Sequence, residues 1–124
     1  MSGEKSDRPR ILVVEDEVMI CVMIEDLLDD AGYRAVGPAT TLAEGLALVE
    51  AGGFDGALLD LSLAGEPAYP IAEALAERAL PFAFLTGSDG SALEARFAAA
   101  PVLQKPFEQA QLERTLQALL AEAH

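Results

Sequence analysis

Ile11-Leu12-Val13-Val14-Glu15-Asp16 decides how the rest of the chain is read: four apolar, strand-favouring side chains run straight into two carboxylates. The arrangement recurs. Ala57-Leu58-Leu59 runs into Asp60, Phe82-Ala83-Phe84-Leu85 into Thr86, and Pro101-Val102-Leu103-Gln104 into Lys105-Pro106, while Tyr33 to Val36 ends in Gly37-Pro38. If these runs are parallel strands, their C-terminal ends share one edge of a sheet, which is where open α/β folds place their sites. Three carboxylates, a hydroxyl and an ammonium are then expected to converge there.

Between the runs the apolar spacing becomes helical. Glu17 to Ala31 carries a stripe of Val18, Val22, Ile24, Leu27 and Leu28, widened by Met19, Ile20 and Met23, with Gly32 as C-terminal cap. Thr40 or Thr41 is placed to cap a second helix through about Ala51, carrying Leu42, Leu46 and Val49 and ended by Gly52-Gly53. Leu61 to Tyr69 reads as a loop, and Pro70 suits the first turn of a helix reaching about Ala79. Gly87 to Gly90 reads as a loop before a short, alanine-rich helix around Leu93 to Ala98, and a last helix from about Glu108 aligns Leu112, Leu116, Leu119 and Leu120. Five strands alternating with five helices imply a doubly wound α/β fold, a parallel sheet covered on both faces.

At 124 residues, with 52% hydrophobic and 6% aromatic side chains and no Trp, the chain suits one domain with a mainly aliphatic core. Cys21 has no partner for an internal disulfide, and a buried thiol in a reducing compartment is expected. Met1 to Arg10 lacks an apolar targeting core and no later segment is long enough to span a bilayer, so no membrane association and a cytoplasmic location are expected. A formal charge of −13 opposes approach to phosphate backbones and argues against nucleic-acid binding.

Glu15, Asp16 and Asp60 are hard oxygen donors of the kind that hold Mg²⁺ with several waters retained. Without a cation they repel one another, so at least one carboxyl is expected to have a raised pKa. Asp60, alone at the end of the most apolar strand, is the candidate nucleophile toward a phosphoryl group, with Lys105 holding developing charge on the phosphoryl oxygens. Each residue also has a plainer reading: Glu15-Asp16 as a helix cap, Asp60 as a turn residue, Thr86 as a strand-end hydroxyl, Lys105 as a solvated charge. Their joint occurrence, in order, at successive strand ends favours a site.

With these motifs the chain resembles the receiver domains of two-component response regulators from Arg10 to its C-terminus, preceded by a flexible tail over residues 1–9. By that resemblance Glu15 and Asp16 match the acidic pair, Asp60 the phosphorylated aspartate, Thr86 the switch hydroxyl, and Lys105-Pro106 the lysine followed by a cis-peptide proline. It also implies strand order 2-1-3-4-5, flavodoxin-like, with the backbone carbonyl of Ser62 completing the ligands of Mg²⁺. Partners implied are a histidine kinase or phosphotransfer protein and a downstream protein target; a homodimer is left open. The chain is expected not to be an enzyme beyond promoting its own aspartyl phosphorylation and dephosphorylation.

More narrowly, the chain looks like stand-alone alphaproteobacterial receivers carrying a Phe-Ala-Thr-Gly-Tyr motif; here the stretch reads Phe84-Leu85-Thr86-Gly87-Ser88. Most receivers place Tyr or Phe three residues before the lysine, where this chain has Val102, and Phe84, Phe97 or Phe107 are candidates for that role or simply core. Met19, Ile20 and Met23 are expected either to dock a partner helix bundle beside the site or to be core. A phosphatase of the haloacid-dehalogenase type is disfavoured because Ser62 stands where it needs a second acid. Flavodoxin-type FMN binding is disfavoured by the acidic loop after the first strand. The remaining alternative is a pseudo-receiver that binds a partner without phosphorylation.

Overall fold

The computed structural model describes residues 8–87 and 93–122. Its main sheet has five parallel strands, β1 (Arg10–Val14), β2 (Arg34–Ala39), β3 (Gly56–Asp60), β6 (Phe82–Thr86) and β7 (Val102–Gln104). Between them lie a hairpin of β4 (Ser62–Leu63) and β5 (Glu66–Pro67) and the helices α1 (Val18–Asp30), α2 (Leu42–Ala51) and α3 (Tyr69–Glu77), and α4 (Gln109–Glu122) follows β7. The sheet order is β2-β1-β3-β6-β7, which in main-sheet strands alone is the expected 2-1-3-4-5. β1 and β3 are neighbours with Val14 opposite Leu59, so Glu15 and Asp60 leave the sheet side by side.

Strand alternation sends the core to both faces. Leu12, Val14, Ala57, Leu59 and Phe84 pack with Val49 of α2 and Ile71, Ala72 and Leu75 of α3. Ile11, Val13, Leu58, Ala83 and Leu85 pack with Ile24 and Leu28 of α1 and Leu112, Leu116 and Leu119 of α4. α2 approaches α3 closely at Gly45, where an added Cβ would collide with Ile71 Cδ1. Thr41 is the cap of α2: its Oγ1 accepts from Glu44 N–H at 3.1 Å, and the Glu44 carboxylate reaches back past the cap to accept from Thr40 N–H at 2.8 Å. Arg8 closes the end of α1, donating to Asp29 Oδ1 at 3.0 Å and to the Tyr33 carbonyl at 2.7 Å.

Several expectations change. α1 buries Cys21, Ile24 and Leu28, whereas Val18 and Val22 face outward, and on α2 Leu46 is exposed beside buried Gly45 and Val49. The first two turns of α1, Val18 to Ile24, are apolar all round and allow more than one rotational setting; Glu25, Asp26, Asp29 and Asp30 further along mark the outer face, to which packing on the sheet also turns Val18 and Val22. The expected helix around Leu93 to Ala98 is a single 3-10 turn, Ala95–Phe97, leaving four α-helices among the described residues. Phe97 is the one buried side chain in that turn, and alanines supply too little burial to offset the ordering of a longer helix. Leu61 to Tyr69 is not plain loop: Ser62 and Leu63 pair antiparallel with Pro67 and Glu66, and Tyr69 already belongs to α3. The tail residues 1–7, residues 88–92 of the expected loop (with Ser88 of the motif) and residues 123–124 lie outside the described residues. Among the described residues no helix is long and apolar enough to cross a membrane.

Candidate functional site

The C-terminal edge of the sheet gathers the residues singled out in the sequence. Glu15 N–H donates to the Ala39 carbonyl at 2.9 Å, which extends the pairing of β1 with β2 by one step and holds the Glu15 side chain in the interior. Asp16 follows on the turn into α1, Asp60 ends β3, and Thr86 ends β6, with Asp60 and Thr86 both buried. Lys105 N–H donates to the Thr86 carbonyl at 2.7 Å, and the Lys105-Pro106 peptide is cis. These backbone links make the lysine's position a property of the sheet.

Lys105 reaches back across the edge. Its Nζ lies 3.2 Å from Glu15 Oε1 and 3.6 Å from Asp60 Oδ1, so one ammonium sits between two buried carboxyls. Glu17 N–H donates to Glu15 Oε2 at 3.1 Å, Ser62 N–H to Asp60 Oδ1 at 3.3 Å, and Ala64 N–H to Asp16 Oδ2 at 2.9 Å. Glu15, Asp16 and Asp60 each offer an oxygen within 4.8 Å of the others. An open cleft of about 790 Å³ exposes Asp60, Asp16, Ser62 and Lys105, beside apolar Ile20 and Met23. Ser62 is thus placed at the cleft, and its side of β4 is open to solvent.

The charges are strongly perturbed. Burial, then the hydrogen bond and negative charge of Glu15, push Asp60 up to about 7, against the opposing pull of Lys105 and the Ser62 amide. Burial works to lower Lys105, but the Asp60 and Glu15 charges outweigh it and the ammonium is raised. Asp16 is held below the usual carboxylate value, first by the Ala64 amide. A raised folded pKa means that Asp60 binds a proton in the folded state which the unfolded chain has released. Between the ordinary value of 3.8 and about 7, metal-free stability therefore falls as pH rises. Metal-free protein is expected to melt several degrees higher at about pH 5.5 than at pH 8 by an amount that Asp60→Asn removes, scanned by differential calorimetry. Identical pH profiles for wild type and variant would contradict the assignment of the raised carboxyl to Asp60.

The donor set fits Mg²⁺. It consists of hard carboxylate oxygens close enough to share one ion, with open space around them for retained waters. Two contributors were not legible beforehand. The Ala64 amide holds Asp16 because Ala64 and Gly65 form a two-residue turn with φ of 50° and 86°, the signs of a type I′ hairpin. Alanine is a poor residue for that conformation, so only Gly65 hinted at it. Cys21, expected to be an inert core thiol, donates from Sγ to the Glu15 carbonyl at 3.3 Å and is buried against the site.

Residues 11–117 match the model of the response regulator receiver domain. The structure is similar to the solution structure of SdrG from Sphingomonas melonis Fr1, at 46% identity over 91% of this chain and 97% of that one, TM-score 0.82. It is similar to the BeF3-activated conformation of SdrG from Pseudomonas melonis Fr1, at 47% identity over 90% and 95% of the two chains, TM-score 0.78. A third relative is the receiver domain of sensor histidine kinase PA1611 from Pseudomonas aeruginosa PAO1, with magnesium coordinated in the active-site cleft: 26% identity, 92% and 98% covered, TM-score 0.79. No curated protein matches the chain. With the fold, the acidic edge and the lysine in place, the family match over most of the sequence makes this chain a response regulator receiver domain.

Proposed function

We propose that Asp60 accepts a phosphoryl group from a phosphohistidine of a histidine kinase or phosphotransfer protein, and that the modified chain signals by changed protein contacts. The observation that carries this reading is the Lys105 ammonium lying 3.6 Å from Asp60 Oδ1 and 3.2 Å from Glu15 Oε1, with Asp16 close by. An Asp60 oxygen attacks phosphorus as the bond to the imidazole nitrogen breaks, and the imidazole leaves. Lys105 stabilises charge on the transferring oxygens, and Thr86, which ends the neighbouring strand, bonds one of them afterwards in this reading. Mg²⁺ held by Asp16, Asp60, the Ser62 carbonyl and, through water, Glu15 would neutralise the carboxylates and the incoming phosphoryl group. The chain turns over no separate substrate; it promotes only its own phosphorylation and dephosphorylation. The BeF3-activated state of SdrG, 47% identical, supports an Asp60 that reacts in the same way.

The partner's place is suggested by α1. Of the three residues expected either to dock a partner or to be core, Met19 is 83% exposed and Met23 36%, while Ile20 is half-buried against the core; Val18 and Val22 are open beside them, which supports a contact face here. Single exposed apolar residues are ordinary, but a cluster beside a reactive cleft marks contact. Met19→Glu is expected to lower kcat/KM for transfer from the cognate phosphohistidine by about tenfold, while leaving labelling by a small acyl phosphate unchanged. Equal loss with both donors would remove α1 from the docking surface.

The alternative, a receiver that binds without being phosphorylated, draws on Val102 at the usual aromatic position. Amide spectra of wild type and Asp60→Asn, titrated with Mg²⁺ and then beryllofluoride, separate the two. Shifts at residues 15–16, 60–65 and 105 that vanish in the variant are expected. Metal-induced shifts with no beryllofluoride response would favour the alternative.

A further inference from the structure

We propose that Tyr69 is a latch that couples the acidic edge to residues 93–100, taking over in this chain the work left undone by Val102. The proposal rests on Asp60 being the phosphorylated residue.

Residues 93–100 are tied to α3 and to the rings of β6. The Tyr69 ring stacks on Phe97, centroids 5.3 Å apart and 6° from parallel, and both rings meet Phe84 edge-on at 6.1 and 5.7 Å. The Tyr69 hydroxyl accepts from Glu94 N–H at 2.9 Å. Arg96 lies over both rings, 4.9 Å from the Phe97 centroid and 5.7 Å from that of Tyr69, and is ion-paired to Glu73 of α3. Apart from Phe97 the segment offers the core only Leu93 and Ala100, both partly buried, and its other alanines add little.

The other end of Tyr69 is fastened to the site. It follows the β4–β5 hairpin directly, and Ala68 N–H donates to the Leu61 carbonyl at 2.9 Å, one residue past Asp60. The hairpin tip is held by the Ala64 amide on Asp16. Phe82, Phe84 and Thr86 alternate onto one face of β6, so the strand-end hydroxyl and the rings beneath Phe97 share a side of the sheet. A rearrangement of Asp16, the hairpin and Thr86 around a phosphorylated Asp60 therefore pulls on Tyr69 from one side and on its ring bed from the other. Releasing Tyr69 frees residues 93–100 and uncovers the Phe82, Phe84 and Phe97 surface. Val102, paired with Phe84 across the sheet, has no ring to turn into that space.

If the latch opposes the active arrangement, weakening it must favour that arrangement by the same factor, because linkage is reciprocal. Tyr69→Phe keeps the stack and removes one hydrogen bond, so it should lower the half-saturating beryllofluoride concentration, with Mg²⁺ present, by about two- to tenfold. Tyr69→Ala should lower it further. Hydrogen exchange at residues 93–100 is expected to quicken on adding Mg²⁺ and beryllofluoride to wild type, and to be already quick in both variants without them. A purely structural tyrosine would alter exchange without altering beryllofluoride affinity. Wild-type shifts at residues 60–65 with no change at 93–100, or an unchanged half-saturation in Tyr69→Phe, would overturn the latch while leaving the Asp60 assignment standing. Wild type that ignores beryllofluoride altogether would overturn both.

Discussion

Asp60→Asn is expected to abolish phosphoryl labelling, by about 100-fold or more against wild type, whether the donor is a phosphohistidine or a small acyl phosphate. The amide nitrogen and oxygen of asparagine keep the shape of the site but supply no anionic nucleophile. The same change should stabilise the metal-free protein above neutral pH. Asp60 is buried beside Glu15 and pushed up to about 7, so at pH 8 the folded state carries a charge it disfavours. Removing that charge is worth about 1–3 kcal/mol, less than the full shift because asparagine leaves a polar group in the same confined place. Mg²⁺ should then stabilise the variant much less than wild type, since one charged ligand is gone. Melting temperatures with and without Mg²⁺ give both stability signs, and a variant less stable than wild type at pH 8 without metal would contradict the electrostatic account.

Lys105→Met should cost both stability and chemistry. Glu15 is completely buried, and among the described residues Lys105 at 3.2 Å is the cation paired with it. Deleting one member of such a pair leaves a charge without compensation, for which about 3–5 kcal/mol is usual. The remaining hydrogen bond from Glu17 N–H to Glu15 moderates the loss to about 2–4 kcal/mol. Labelling of the folded fraction should fall about 100- to 1000-fold, the weight of a lost group on developing oxygen charge. Glu15→Gln combined with Lys105→Met should recover stability but not labelling. Recovery of both would mean that the lysine acts only through Glu15.

Those two residues illustrate what sequence could disclose. Strands buried on both faces read as short apolar runs, and their polar ends fall at one edge by topology alone, so Glu15, Asp16, Asp60, Thr86 and Lys105 were legible as a group. The pairing of Lys105 with Glu15, 90 residues apart, was not, because only the fold sets their 3.2 Å separation. The hairpin after Asp60 hid behind Ala64 at a φ of 50°, a position where sequence rules look for glycine or asparagine. The inward stripe of α1 is mis-set at Val18 and Val22 because Val18 to Ile24 is apolar all round; the rotational signal lies further along, in Glu25, Asp26, Asp29 and Asp30, which share the side of Val18 and Val22. The short helix at residues 93–98 failed for want of side chains to bury, and it is there that Tyr69 and Phe97 do the holding.

The most direct test of Asp60 as phosphoacceptor is chemical mapping. Protein labelled by a small acyl phosphate in Mg²⁺ would be reduced with borohydride, which converts an aspartyl phosphate to homoserine, and sequenced by mass spectrometry. Homoserine at position 60 and nowhere else is the predicted result; homoserine at another position, or labelled protein with Asp60 intact, would contradict it.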